Sequence, residues 1–397
     1  MFFSVAPEQD SRFPNQHKTE IGYFNCDNGW SKQAVDNYTV FFKGYAEGNL
    51  ESLLSDLILD PTPRYQGNFC AVIFNQSSCT ITHDIHRGFP LYYYDPKKVA
   101  TNLLLIEPED TTVITSDTYV VLDNNLFLKD QQFDCIGAID STELTIDCCV
   151  SSIKQLLINK FNSVDFSNYP PIKMFLTGGI DTTTVAALLS SQTANYEQIK
   201  YEHLEYDYFI YKNIEKMREH YWGYRSQNLH HWKDPTVLAS GGCGDEFLMR
   251  GPTTAALWAA WHGIDIVALL SKPGNTDYHR VYFLNSHHKE LFKTQLQNRE
   301  QLLKLYPTYN DLVWQILNIN VNDYQHWHLG NTLTFTPFKD LMLTKLLLQS
   351  STDVILSQIL DAQVSRELIK SLDPQWLKYV SKDKVRYHWT QLAEFEL

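Results

Sequence analysis

Lys173-Met174-Phe175-Leu176-Thr177-Gly178-Gly179-Ile180-Asp181-Thr182-Thr183-Thr184 is the stretch on which the reading of this chain turns. Its pattern predicts a strand over 172–176 that passes through Thr-Gly-Gly into a helix over 183–190. Two glycines let backbone N–H groups approach a phosphate closely, and the start of the following helix favours negative charge. The hydroxyls of Thr177, Thr182 and Thr183 are candidate donors to phosphate oxygens. Asp181 cannot face bare phosphate comfortably, so its presence implies a divalent cation between them. No Gly-Lys-Ser/Thr follows, so this is not a Walker A loop. The plainer alternative is a strand-to-helix turn capped by Asp181.

A second segment repeats the design. Val237-Leu238-Ala239-Ser240-Gly241-Gly242-Cys243-Gly244-Asp245-Glu246-Phe247 is again an apolar strand, a glycine turn and then carboxylates before a helical stretch. Either loop alone also admits the reading of a capped turn. Together they suggest two strand ends meeting at the C-terminal edge of a parallel sheet, where α/β proteins bind ligands. Asp181 and Asp245 would then share one Mg2+ on a leaving pyrophosphate.

Outward from these loops, helical spacing begins near Glu143 with Val150, Ile153, Leu156 and Leu157. Strands and helices alternate from there, which implies a doubly wound parallel sheet. Beyond Gly251 the pattern is mostly helical, with turns at Pro273-Gly274 and Pro307. The first ~130 residues instead carry short apolar runs bounded by Gly, Asn, Asp and Pro. Examples are Tyr38-Thr39-Val40-Phe41-Phe42, Phe69-Cys70-Ala71-Val72-Ile73-Phe74 and Pro90-Leu91-Tyr92-Tyr93-Tyr94, with one helix over 50–57. The polar stretch Lys129-Asp130-Gln131-Gln132 reads as a boundary between domains at 1–132 and 140–397.

The 397 residues exceed what one core usually organises, and 44% hydrophobic with 20% charged residues is ordinary for a globular chain. A net charge of −13 argues against non-specific binding to nucleic acid or an anionic membrane. Seven cysteines without a CxxC pair suggest free thiols rather than zinc or a disulfide framework. No signal peptide and no apolar run of about 20 residues is visible. A cytoplasmic protein is expected, with a homodimer left open.

Here the chain resembles a known family. Thr177-Gly178-Gly179-Ile180-Asp181-Thr182 is similar to the Ser-Gly-Gly-x-Asp-Ser/Thr loop of ATP pyrophosphatases. Ser240-Gly241-Gly242-Cys243-Gly244-Asp245-Glu246 resembles the Ser-Gly-x-Gly-x-Asp-Glu loop of asparagine synthetases, and Thr336-Pro337-Phe338-Lys339-Asp340 their Val-Pro-Phe-Leu-Asp element. Toward the N-terminus, Phe42-Lys43-Gly44-Tyr45 sits where that family's glutamine-amidotransferase domain carries Asn-Gly-Glu. Tyr65-Gln66-Gly67-Asn68-Phe69-Cys70-Ala71 resembles its Gly-x-Phe-Ala strand, and Asp84-Ile85-His86-Arg87-Gly88-Phe89-Pro90-Leu91-Tyr92-Tyr93 its Arg-Asp-x-x-Gly-x-x-Pro-Leu-Tyr-Tyr segment.

The resemblance implies an N-terminal α+β, Ntn-hydrolase-like sandwich. It implies a C-terminal doubly wound domain of the adenine-nucleotide-α-hydrolase type with added helices. The activity implied is an ATP- and Mg2+-dependent ligase that adenylates a carboxylate and forms an amide. Leu176, Thr177, Gly178, Gly179, Asp181, Thr182, Thr183, Ser240, Gly241 and Gly242 would bind ATP phosphates. Asp181 and Asp245 would hold the metal, with Glu246 as a third catalytic candidate that orients Asp245.

Two departures qualify that implication. Glutamine hydrolysis in the family needs an N-terminal cysteine, but Phe2 and Phe3 follow Met1 and Cys26 lies inside the chain. Glutaminase activity is therefore expected to be lost, leaving ammonia or a substrate amine, as in β-lactam synthetases and lasso-peptide cyclases. The family also places a lysine four residues before an Arg-Glu pair; in Ala362-Gln363-Val364-Ser365-Arg366-Glu367 alanine stands there. Lys345, Lys382, Lys384 and Arg366 are candidate substitutes, and a non-catalytic nucleotide-binding scaffold is the rival reading. The histidine pairs His230-His231, His287-His288 and His326-Trp327-His328 lack metal-ligand spacing. Tyr201, Tyr206, Tyr208, Phe209 and Tyr211 read as packing residues, with stacking on adenine as the alternative.

Overall fold

The computed structural model describes residues 3–11, 13–86, 91–94, 98–101, 111–114, 118–123, 128–132, 143–166, 171–175, 179–193, 195–199, 236–271, 286–321 and 332–380. They form a mixed α/β structure, antiparallel in its first part and parallel in its second.

The first part contains β1 (Phe3–Ala6), β2 (Asn15–Thr19), β3 (Gly22–Cys26), β4 (Ser31–Val35), β5 (Tyr38–Ala46), α1 (Leu50–Leu59), β6 (Gly67–Phe74), β7 (Ser78–His83), β8 (Leu91–Tyr94), β9 (Lys98–Ala100), β10 (Thr111–Ile114), β11 (Thr118–Asp123) and β12 (Leu128–Gln132). They make two 6-stranded antiparallel sheets, ordered β10-β8-β9-β1-β3-β2 and β12-β11-β7-β6-β5-β4. Alternation along each strand decides the packing. Phe41 joins Phe3, Val5, Phe24, Val72 and Phe74 in one apolar cluster. Its neighbour Phe42 points the other way, to Leu53, Leu54 and Leu57 of α1. That helix starts where Asn49 accepts the Ser52 N–H at 3.0 Å. Lys129–Gln132, read from the sequence as a boundary, belong to β12 at the edge of the second sheet. Polar, lysine-bearing sequence suits an edge strand as well as it suits a linker.

The second part opens with α2 (Ile146–Asn162) and β13 (Ile172–Phe175), followed by α3 (Ile180–Gln192), β14 (Tyr196–Ile199), β15 (Thr236–Ala239) and α4 (Gly244–Phe247). After these come α5 (Pro252–His262), α6 (Ile266–Leu270), α7 (Ser286–Gln297), α8 (Arg299–Leu305), α9 (Tyr309–Val321), β16 (Thr332–Phe335), α10 (Leu341–Leu348), α11 (Thr352–Asp361) and α12 (Gln363–Leu372). The four strands pair in parallel in the order β14-β13-β15-β16, so β13 and β15 lie side by side. Helix α3 begins three residues earlier than the sequence predicts. Its threonine hydroxyls bond back to carbonyls within the helix rather than competing with it, Thr184 to Ile180 O at 2.8 Å for example. Ile180, Val185, Ala186, Ala187, Leu188 and Leu189 are all buried, so α3 is a core helix. No helix among the described residues is long and apolar enough to cross a membrane.

The two parts meet along a buried polar seam. Lys339, just after β16, places its ammonium 3.0 Å from Asp84 Oδ1 and 3.3 Å from Asn68 Oδ1. Asp84 is fully buried and also accepts the N–H groups of Phe69 at 3.0 Å and His86 at 2.9 Å. Lys160 of α2 donates to the Lys339 carbonyl at 2.6 Å and lies 3.6 Å from Asp340 and 3.8 Å from Glu47. Asn68 Nδ2 donates to Thr334 O at 3.1 Å. These bonds pair each buried charge, as burial requires.

Candidate functional site: two loops joined by an arginine

Loop 1 follows β13 and loop 2 follows β15, so adjacent parallel strands deliver both to the same edge of the sheet. Their backbones touch. A Cβ on Gly241 would lie 2.6 Å from Thr182 N and 2.8 Å from Asp181 C. A Cβ on Gly244 would lie 2.5 Å from the Asp181 carboxyl carbon. Neither glycine is required for its torsion angles; each is required because the other loop occupies the space.

Loop 2 is held from several directions. Ser240 N donates to Phe335 O at 2.9 Å, and the Ser240 hydroxyl accepts the Gly242 N–H at 3.1 Å. Cys243 adopts φ 61, a left-handed conformation uncommon for a residue with a side chain, and α4 follows at once. The carbonyls at the end of this short helix are taken up by buried side chains. Asn320 Nδ2 reaches Glu246 O at 3.3 Å, the Thr344 hydroxyl Phe247 O at 2.9 Å and Gln358 Nε2 Leu248 O at 3.1 Å. The antiparallel part contributes too: the His86 ring stands edge-on to Phe247, with centroids 5.4 Å apart.

Asp181 and Asp245 converge, and the group between them is Arg250. Its guanidinium lies 2.7 Å from Asp181 Oδ1 and 2.5 Å from Asp245 Oδ1, with the arginine side chain 5% exposed. The chain folds back to bring it there. The N–H groups of Arg250 and Gly251 donate to the Asp245 carbonyl at 2.6 and 2.5 Å, across a turn in which Met249 takes φ 58. Sequence reasoning missed Arg250. The available signal was a lone cation after Phe247-Leu248-Met249, in a stretch apolar enough to be buried, where a charge needs partners.

The remaining candidates divide. Gly179 precedes α3 as its N-cap, and the Thr182 and Thr183 hydroxyls donate to the Gly179 carbonyl at 3.0 and 2.8 Å. Thr183 is fully buried, whereas Thr182 remains half-buried at the loop. Glu246 is half-buried in α4, and Arg250 pairs with Asp245. Ala362 is fully buried at the junction of α11 and α12 with φ 51. Arg366 turns to Asp361, its Nε donating to the carbonyl at 3.0 Å, and Lys345 is half-buried on α10. Leu176, Thr177 and Gly178 lie outside the described residues, as do Arg87 to Pro90, Tyr201, Tyr206, Tyr208, Phe209, Tyr211, His230, His231, Pro273, Gly274, His326, Trp327, His328, Lys382 and Lys384.

In the antiparallel part, Cys26 is buried opposite Phe3, and its thiol is pushed up to about 12. Burial is the main cause and Asp27 adds to it, while Lys43 opposes. Such a thiol supplies no thiolate at neutral pH. Lys43 is itself occupied, 2.8 Å from Asp27 Oδ2 and 2.7 Å from Asn28 O.

A Mg2+ shared by these carboxylates would have to compete with the Arg250 guanidinium for them. Each already gives an oxygen to Arg250. Among the described residues, no group of three or more His, Cys, Asp or Glu side chains could hold a metal.

The Asp181 carboxyl is pushed up to about 7, chiefly by burial; Arg250 opposes the shift and Asp245 adds to it. An unfolded aspartate titrates near about 3.9, so the folded chain binds the proton more tightly. Stability from this source is therefore full below about pH 4 and is lost as pH rises toward about 7. Asp181→Asn is expected to flatten the decline of the urea midpoint across that window. Equal slopes in the two proteins would refute the assignment.

No protein-family model matches the sequence, and no curated protein does.

Proposed function

We propose that this chain binds ATP where its two glycine loops meet and uses it to adenylate a carboxylate, forming an amide in the manner of asparagine synthetases. The observation that carries this reading is the contact between the loops, close enough to bring Asp181 and Asp245 onto one guanidinium. Loops at adjacent parallel strand ends are where α/β proteins take nucleotides. The backbone at Gly179 lies at the start of a 13-residue helix, which suits phosphate. The finer fold assignments belong to the same proposal: an Ntn-hydrolase-like sandwich ahead of an adenine-nucleotide-α-hydrolase-like domain. The paired antiparallel sheets and the parallel sheet support it.

In the reaction proposed, a substrate carboxylate oxygen attacks the α-phosphorus and the bond to pyrophosphate breaks. An amine nitrogen then attacks the acyl carbon, AMP departs with the bonding electrons, and the nitrogen loses a proton. Arg250 offsets the negative charge of Asp181 and Asp245 that would otherwise face the phosphates. With Cys26 inert, ammonia or an amine on the substrate itself is the nitrogen source, the latter as in β-lactam synthetases and lasso-peptide cyclases. The buried thiols suit a reducing cytoplasmic setting.

A second reading has its own support. Arg250 engages both carboxylates, and a fully buried alanine stands where the resemblance places a lysine. A nucleotide-binding scaffold without turnover would carry both features. Pyrophosphate release from ATP, measured across candidate acids, separates the readings. Acid-dependent release that falls at least about 100-fold in Asp181→Asn supports the ligase. ATP binding without release supports the scaffold.

A further inference from the structure

We infer that Arg250 is a built-in counter-ion that assembles Asp181 and Asp245 in place of a divalent metal, so that the carboxylate pair takes no such cation while the arginine is present. The inference rests on reading the two loops as a nucleotide site and adds how that site is charged. Three observations carry it. The guanidinium contacts one oxygen of each carboxylate, at 2.7 and 2.5 Å, and a planar fork can span two acids as a point charge cannot. Arg250 is 5% exposed while Asp245 is 34% exposed, so the cation lies on the inner side of the pair rather than resting on the surface. Its position is set by backbone: two N–H groups close on the Asp245 carbonyl, and Met249 at φ 58 and Cys243 at φ 61 flank α4. Left-handed residues with side chains persist only where their surroundings over-determine them.

The same geometry makes Arg250 a positioning residue. Asp181 rides on the first turn of α3 and Asp245 on α4, so one side chain ties the two elements that would receive phosphate. A merely structural arginine would stabilise the fold without deciding whether metal binds.

Mn2+ alone, titrated into the full chain and followed by the loss of its free electron-spin-resonance signal, tests the proposal without nucleotide. The wild-type chain is expected to leave the signal unchanged at concentrations where Arg250→Gln binds one ion at least about tenfold more tightly. Asp245→Asn in the Arg250→Gln background is expected to abolish the gained site. Arg250→Lys, which keeps the charge and guards against a variant that fails to fold, is expected to fall between the two. Tight Mn2+ binding by the wild type, or equal binding by all variants, overturns the inference. Because no ATP is present, failure of pyrophosphate release would sink the ligase reading and leave this result standing.

Discussion

Lys339→Met is expected to cost about 3–5 kcal/mol of folding stability, because it leaves the Asp84 carboxylate buried without its cation. Both groups are shielded, at 2% and 0% exposure, so water cannot replace the lost partner. Asp84 keeps the backbone N–H donors of Phe69 and His86 in the variant, which satisfies its oxygens but does not balance its charge.

 Adding Asp84→Asn to Lys339→Met is expected to recover part of the loss, since no lone charge then remains. Urea unfolding followed by tryptophan fluorescence and by circular dichroism is the measurement. Because the seam joins the antiparallel and parallel parts, both signals should shift together. A variant in which the parallel part unfolds at its wild-type midpoint would show that the seam does not bind the two parts into one folding unit.

Gly241→Ala carries the second large effect, about 3 kcal/mol, together with loss of the assembled site. The added methyl would meet Thr182 N at 2.6 Å, Asp181 C at 2.8 Å and Thr182 Cα at 2.9 Å, all of them backbone atoms of the first turn of α3. That turn cannot withdraw, because α3 is packed on nearly every side. Loop 2 must move instead, and it is fastened by Asn320, Thr344 and Gln358. The three atoms nearest a methyl at Gly244 are side-chain atoms of Asp181, so the cost of Gly244→Ala in stability should be smaller. Its cost to the site should be comparable, because the displaced carboxylate is the one that Arg250 holds. Displacements near 1 Å can lower activity by about 100-fold. Thermal unfolding and pyrophosphate release, measured on both variants, check the ranking. A wild-type melting temperature for Gly241→Ala would contradict the close approach of the loops.

The two loops were visible in the sequence because everything that marks them is local. A strand, a glycine turn and a helix start are contiguous in each, and Asp181 and Asp245 follow their glycines directly. The alternation that separates Phe41 from Phe42 was equally local and predicted strands where β5 and β6 stand. Lys129–Gln132, the polar end of the first domain as read from the sequence, form β12 at a sheet edge, and an edge strand and a linker share such polarity. Ala362 was singled out only as a missing charge, whereas its burial and φ 51 reflect how α11 turns into α12.

By itself the sequence determined the strand-loop-helix units and the acidic residues they present. These depend on chemistry and spacing within a few residues, which the chain carries wherever it is placed. Only the tertiary structure decided which charge answers those acids. Arg250 meets Asp181 across 69 residues of sequence and Lys339 meets Asp84 across 255, and no pattern of spacing reveals such pairs. Buried charges choose partners by distance in space, because removal from water makes an unpaired charge costly whichever residue supplies the remedy.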